Sequence, residues 1–183
     1  MLAASGLELK TLDDYPGLPE IVEDGKTFLE NALKKARTIA ELTGETCLAD
    51  DSGLEVAALG GAPGIYSSRY AGEGAGDAEN NRKLLDELKG VPPAERGAAF
   101  RCVLVVCRPD GRYHSFEGRW SGQIAEAPAG KGGFGYDPVF YLPGQGVTVA
   151  ELTADIKNRI SHRAEAFAKL SAWLKKGIEE NGA

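Results

Sequence analysis

Apolar residues recur at helical spacing in three stretches of the chain. Leu29, Leu33, Ala36 and Ala40 fall on one face of a segment running from Thr27 to Thr43. Thr27 with Glu30 fits a capping box at its start, and Gly44 supplies the stop. Asp77 to Lys89 predicts a second helix, with Asp77 as N-cap and Gly90 just past its end. Ser161 to Lys176 predicts a third, capped by Ser161, with Phe167, Leu170 and Leu174 on one face. Between them lie runs with strand character: Glu45–Ala49, Leu54–Leu59, Ala98–Cys107, Arg112–Trp120 and Val139–Tyr141. Asp50-Asp51-Ser52-Gly53 is expected to break the first two as a turn, and Pro109-Asp110-Gly111 to close the next two into a hairpin. Helices alternating with strands, one hairpin among them, predict an α/β domain with a mixed sheet flanked by helices.

Length and composition narrow the functional classes. A chain of 183 residues, 43% hydrophobic and 26% charged, fits one soluble domain spanning 1–183. No apolar run reaches membrane-spanning length, and the opening MLAASGLELK lacks the pattern of a signal peptide. Cys47, Cys102 and Cys107 contain no C-x-x-C pair, and two of them sit in apolar runs, as reduced cysteines in the cytoplasm would. A net charge of −6 disfavours a general nucleic-acid binder, though not a small anionic substrate bridged by a cation. With only His114 and His162, a histidine-rich metal site is excluded.

Two phosphate signatures fail on inspection. Gly25-Lys26-Thr27 has Glu20 where a P-loop needs its first glycine. Gly130-x-Gly132-x-x-Gly135 is followed by Tyr136-Asp137-Pro138, which disfavours the helix a dinucleotide fingerprint requires. Three other stretches carry chemistry. The adjacent carboxylates Asp50 and Asp51, at the end of an apolar strand, need charge compensation, by a turn's backbone or by magnesium. Glu30 is either a helix cap or a second metal ligand, and capping is the reading its spacing favours. The run Lys157 to Arg163 places cations at or before a helix N-terminus, either as a solvated basic stretch or as a site that an anion would relieve. Phe134 and Tyr136 are either core aromatics or, as their setting among glycines suggests instead, part of a loop approaching a flat ligand.

Five blocks in order resemble the inosine triphosphate pyrophosphatase family of the Ham1 or RdgB-like type. They are Thr27–Ala32 (TFLENA), Leu48–Leu54 (LADDSGL), Gly60–Tyr70 (GGAPGIYSSRY), Gly132–Pro138 (GGFGYDP) and Ser161–Arg163 (SHR). The resemblance implies an elongated mixed α/β fold with two lobes and a cleft between them, usually a homodimer. It implies magnesium-dependent hydrolysis of ITP, dITP or XTP to the monophosphate and pyrophosphate. Asp51 would be the general base, and Glu30 with Asp51 would hold magnesium. Ser52 would contact substrate, and Phe134, Gly135, Tyr136 and Asp137 would hold the purine, with Phe134 stacking on it. Lys157, His162 and Arg163 would bind phosphate or the 6-oxo edge. A site donating hydrogen bonds to that oxo group meets an amino group in adenine, which disfavours ATP.

Family members ordinarily open with a strand and a Ser/Thr-x-Asn-x-x-Lys loop that grips the triphosphate, whereas this chain opens on Met1-Leu2-Ala3-Ala4-Ser5-Gly6. The expectation is a form lacking that strand and loop, less active than an extended one, with an exposed sheet edge or a groove. Two further readings stay open beside the enzyme: a nucleotide binder without turnover, and a Maf-like pyrophosphatase of modified pyrimidine nucleotides.

Overall fold

A computed structural model describes residues 8–181; the opening Met1–Gly6 lies outside the described residues. Six strands form one sheet in the order β2-β1-β3-β4-β5-β6. They are β1 (Cys47–Val56), β2 (Pro63–Gly64), β3 (Gly97–Cys107), β4 (Tyr113–Ile124), β5 (Phe140–Leu142) and β6 (Val147–Thr148). The helices are α1 (Phe28–Thr43), α2 (Asp77–Glu87), α3 (Ala154–Ile160) and α4 (His162–Asn181). β1 meets β2 antiparallel at Leu54 and Glu55, and β4, β5 and β6 follow one another antiparallel. The β3–β4 turn closes where Arg108 donates to the Arg112 carbonyl at 2.9 Å.

α1 forms as the sequence predicts. Thr27 caps it by accepting from the Glu30 N–H at 3.1 Å. Glu30 Oε2 accepts from the Lys26 N–H at 2.6 Å, one residue before the position a capping box would use. Gly44 ends the helix at φ 71°, a left-handed conformation glycine adopts without a Cβ penalty. The inward face carries Phe28, Ala32, Ala36 and Ala40, and three alanines four residues apart let the backbone pack closely.

The expected break at Asp50–Gly53 is absent. β1 runs unbroken through it, and the aspartates are extended strand residues. Turn chemistry was outweighed by tertiary partners: Asp51 is compensated by neighbouring side chains, and the Leu54 N–H donates to Ser67 Oγ at 2.8 Å. In α2, Gly76 rather than Asp77 is the N-cap, its N–H bonded to Glu79 Oε2 at 2.9 Å. The basic run divides between two helices. Lys157 and Arg159 lie in the last turn of α3, where cations suit the helix dipole, and the sequence reading missed that helix.

Two compact units emerge from the contacts. The first holds the described residues up to Asp51, Cys102–Gly118 and those from Glu165 on. Its core packs Cys102, Leu104 and Val106 of β3 against Ala166 and Leu170 of α4. The second holds Ser52–Arg101 and Arg119–Ala164. Leu54, Val56, Leu84, Phe100, Tyr136 and Phe140 are in its core. Arg96 is buried there and satisfied by the carbonyls of Val91, Ala125 and Leu88 at 3.0, 3.1 and 2.8 Å.

In the first unit, no strand among the described residues pairs with the outer edge of Cys47–Asp51. A groove of about 860 Å³ lies there, lined by Tyr15, Leu18, Ile21, Ile39 and Leu48 among others.

Candidate functional site

In the first unit the chemistry centres on Asp51, which is 9% exposed. Asn31 is fully buried; its amide donates to Asp51 Oδ2 at 3.1 Å and its oxygen accepts from the Gly25 N–H at 2.8 Å. Lys35 Nζ stands 3.7 Å from Asp51 Oδ1 and 2.9 Å from Glu23 Oε1. One carboxylate oxygen is therefore oriented by an amide and the other faces an ammonium, so the buried charge is compensated and its direction fixed. Gly25 fits this turn tightly: a Cβ there would lie 2.6 Å from Asn31 Oδ1.

Glu30, the other predicted ligand, is exposed at the mouth of α1 and engaged in closing it. From that turn it is Asn31 that reaches Asp51. Sequence reasoning missed Asn31 and Lys35 as partners of Asp51. The signal was a polar residue directly before Ala32 on the inward face, with a lysine one turn further on.

In the second unit a cavity of about 190 Å³ is lined by Ser52, Phe134, Gly135, Tyr136, Asp137 and Lys157, with His162 and Arg163 also on its wall. All the substrate-contacting residues expected from the sequence thus meet around one cavity. Phe134 is 62% exposed, with Lys157 Nζ 4.0 Å and the Arg163 guanidinium carbon 5.8 Å from its ring centre. His162 is buried and stacked on Phe100, with centroids 4.9 Å apart and planes 14° from parallel. Trp120 stacks on it too, at 6.4 Å.

Beneath Phe134, Asp137 is 1% exposed. Its Oδ2 accepts from the Phe134 N–H at 2.9 Å and forms an ion pair with Lys157. Lys157 therefore serves the loop internally as well as facing the cavity. Tyr136 belongs to the core, its hydroxyl donating to the Ser67 carbonyl at 2.8 Å. Burial, then the neighbouring Tyr70 and Asp77, push its pKa well above the usual phenol range, so it stays a donor. The glycines also answer an internal demand. At Gly133, φ is 75° and a Cβ would come within 1.9 Å of Asp137 Oδ2, while at Gly130 it would meet the Ala150 backbone at 2.5 Å. Of the loop's two aromatic rings, Phe134 is exposed and Tyr136 buried.

In the second unit, an open aromatic ring flanked by two cations suits an anionic, planar ligand. The model of the Ham1 family matches residues 1–173. This chain belongs to the Ham1 family. Among its family relatives, a dITP/XTP pyrophosphatase of Geobacter sulfurreducens is 54% identical over 172 residues, covering 93% of this chain and 86% of that protein. One from Bacillus licheniformis is 52% identical over 174 residues, covering 95% and 89%. The Ham1 protein of Staphylococcus aureus superposes with a TM-score of 0.86 at 43% identity, over 91% of this chain and 85% of that one. The HAM1 protein of Coxiella burnetii gives 0.83 at 48% identity, over 87% and 82%. These Ham1 structures share the mixed α/β architecture.

Proposed function

We propose that the chain hydrolyses non-canonical purine nucleoside triphosphates (dITP, XTP and ITP) to the monophosphate and pyrophosphate. The observation that carries this is the exposed Phe134 ring, faced by Lys157 and Arg163 over a small cavity, in a chain about half identical to dITP/XTP pyrophosphatases. The ring offers a stacking platform for the purine, and the cations and the fixed His162 supply donors for a 6-oxo edge and phosphates. Ser52 of the cavity wall directly follows Asp51 in the sequence of β1.

Water adds to one phosphorus of the α–β bridge, and the bond from that phosphorus to the bridging oxygen breaks. Asp51 takes the water's proton, its carboxylate aimed by Asn31 and balanced by Lys35. No group of three or more His, Cys, Asp or Glu side chains among the described residues is placed to hold a metal ion. Magnesium takes one or two carboxylates and leaves its other positions to water and substrate phosphates, so two carboxylates would suffice. Asp51 and Glu30 would hold it, and it would supply charge neutralisation on the phosphates.

The test is pyrophosphate release from dITP, XTP, ITP and ATP, with and without magnesium, for the unsubstituted chain and for Asp51→Asn. Magnesium-dependent release from dITP and XTP, well above that from ATP and reduced at least ~100-fold by Asp51→Asn, is the expected result. Equal turnover of ATP, or an Asp51→Asn variant with full activity, overturns the reading.

A further inference from the structure

Helix α2 grips a single residue of the loop Gly130–Asp137, the base loop of the proposed site, by both its polar backbone groups. The Gly135 N–H donates to Asp77 Oδ2 at 2.6 Å, and the Gly135 carbonyl accepts from Asn81 Nδ2 at 2.9 Å. Asp77 and Asn81 are four residues apart, so they share one face of the helix. Neither bond serves the helix itself. The cap is made by Glu79 on Gly76, which leaves Asp77 to reach the loop. Asn81 is 7% exposed, and its Oδ1 has no hydrogen-bond partner among the described residues. Burying an amide that is only half satisfied is costly, and it is retained here by the bond to Gly135.

The consequence falls on Phe134, whose ring is 62% exposed with Lys157 and Arg163 against it. A ring held by so little packing is located mainly by its backbone. Asp137 fixes that backbone at the Phe134 N–H, and α2 fixes it one residue later. Gly135 has φ 61°, so the peptide between these two anchors turns sharply and a shift at either is passed to the ring.

We propose that Asp77 and Asn81 are positioning residues for purine recognition, setting through Gly135 where the Phe134 ring stands. This rests on the proposed purine site and predicts a defined division between kinetic constants. Base stacking is present in ground and transition states alike, so misplacing the ring weakens binding without slowing the chemical step.

The experiment measures KM and kcat for dITP in Asn81→Ala, Asp77→Ala, Asp77→Asn and Phe134→Ala, and in the double variant Asn81→Ala/Phe134→Ala. Asn81→Ala and Asp77→Ala are expected to raise KM about tenfold with kcat within about twofold, while Asp77→Asn, which keeps an acceptor for the Gly135 N–H, stays within about threefold of the unsubstituted KM. Asn81→Ala is expected to add little once Phe134 is gone, because the two act through one contact. Asp77 is exposed, so its variants fold even if loss of Asn81 lowers the Tm. An unchanged KM in folded Asp77→Ala, or full additivity in the double variant, overturns the inference while leaving the activity standing. An unsubstituted chain that releases no pyrophosphate from dITP overturns the proposed function itself, and the inference with it.

Discussion

The ion pair between Lys157 and Asp137 gives a sharp test of how the base loop is held. Asp137 exposes 2% of its side chain and Lys157 15%, so this is a buried pair rather than a surface one. Lys157→Met keeps the stem's volume and removes the charge, leaving a carboxylate that still accepts from the Phe134 N–H. Breaking a buried pair from one side costs about 3–5 kcal/mol, because the surviving charge is left uncompensated. For a chain of this size that lowers Tm by about 6–20 °C. Neutralising the stranded carboxylate removes most of the cost. Asp137→Asn keeps an oxygen for the Phe134 N–H, so the double variant Lys157→Met/Asp137→Asn is expected within about 1 kcal/mol of the unsubstituted chain.

Urea denaturation at neutral pH reads this directly. Trp120 lies in the same unit as the pair and packs on Phe100 and His162, so its fluorescence reports there, and Trp173→Phe removes the other indole. A Lys157→Met variant destabilised by less than about 1 kcal/mol would mean that the carboxylate finds water or another donor. A double variant no more stable than the single one would mean that lost packing, rather than stranded charge, is the cause. Either result refutes the reasoning.

Two other outcomes follow from the first unit. Asn31→Leu matches the shape of the amide but removes one bond to a neutral N–H and one to a carboxylate, a loss of about 3 kcal/mol. Its kcat is expected to fall more than its KM rises, since Asp51 loses its orientation, and an unchanged kcat at full folding would contradict this. Burial, then the nearby Cys107, push the Cys47 thiol up to about 11. Alkylation of Cys47 at pH 8, followed by mass spectrometry, is therefore expected to lag far behind a free thiol and to accelerate towards pH 11; labelling at the free-thiol rate would refute it. Because this thiol is held neutral in the folded state, its contribution to stability is intact below its ordinary pKa and is lost as pH rises to about 11.

The parts of the fold legible in the sequence are those decided locally. α1 needed only its apolar period, Thr27 and Gly44, and each does in the structure what its chemistry dictates. The β3–β4 hairpin was equally local, set by a valine-rich run and a Pro-Asp-Gly turn. What failed depended on distant partners. Asp50–Gly53 carries four residues that favour turns, yet it is extended because α1 brings Asn31 and Lys35 to Asp51. α3 is seven residues long and has no buried residue, so it has no apolar stripe by which to be found. Its absence from the sequence reading is what made Lys157 and Arg159 look misplaced against a helix dipole.

The same division explains the site. Every residue expected to contact substrate reached one cavity, because those residues come in contiguous blocks that fold as units. The residues that aim them were missed, since each works from another element: Asn31 on Asp51, Asp77 and Asn81 on Gly135, Phe100 on His162. What spacing they have places them on a helix face without naming the distant residue they meet. The glycines of the base loop make the point from the other side. Their frequency reads as room for a ligand, but Gly130 and Gly133 are needed because Ala150 and Asp137 already occupy the space a Cβ would take. Of the two aromatic rings in that loop, Phe134 is left exposed while Tyr136 is buried. The loop is thus held rather than free, by Asp137 and Lys157 from below and by α2 at Gly135, and the proposed recognition of a purine depends on that hold.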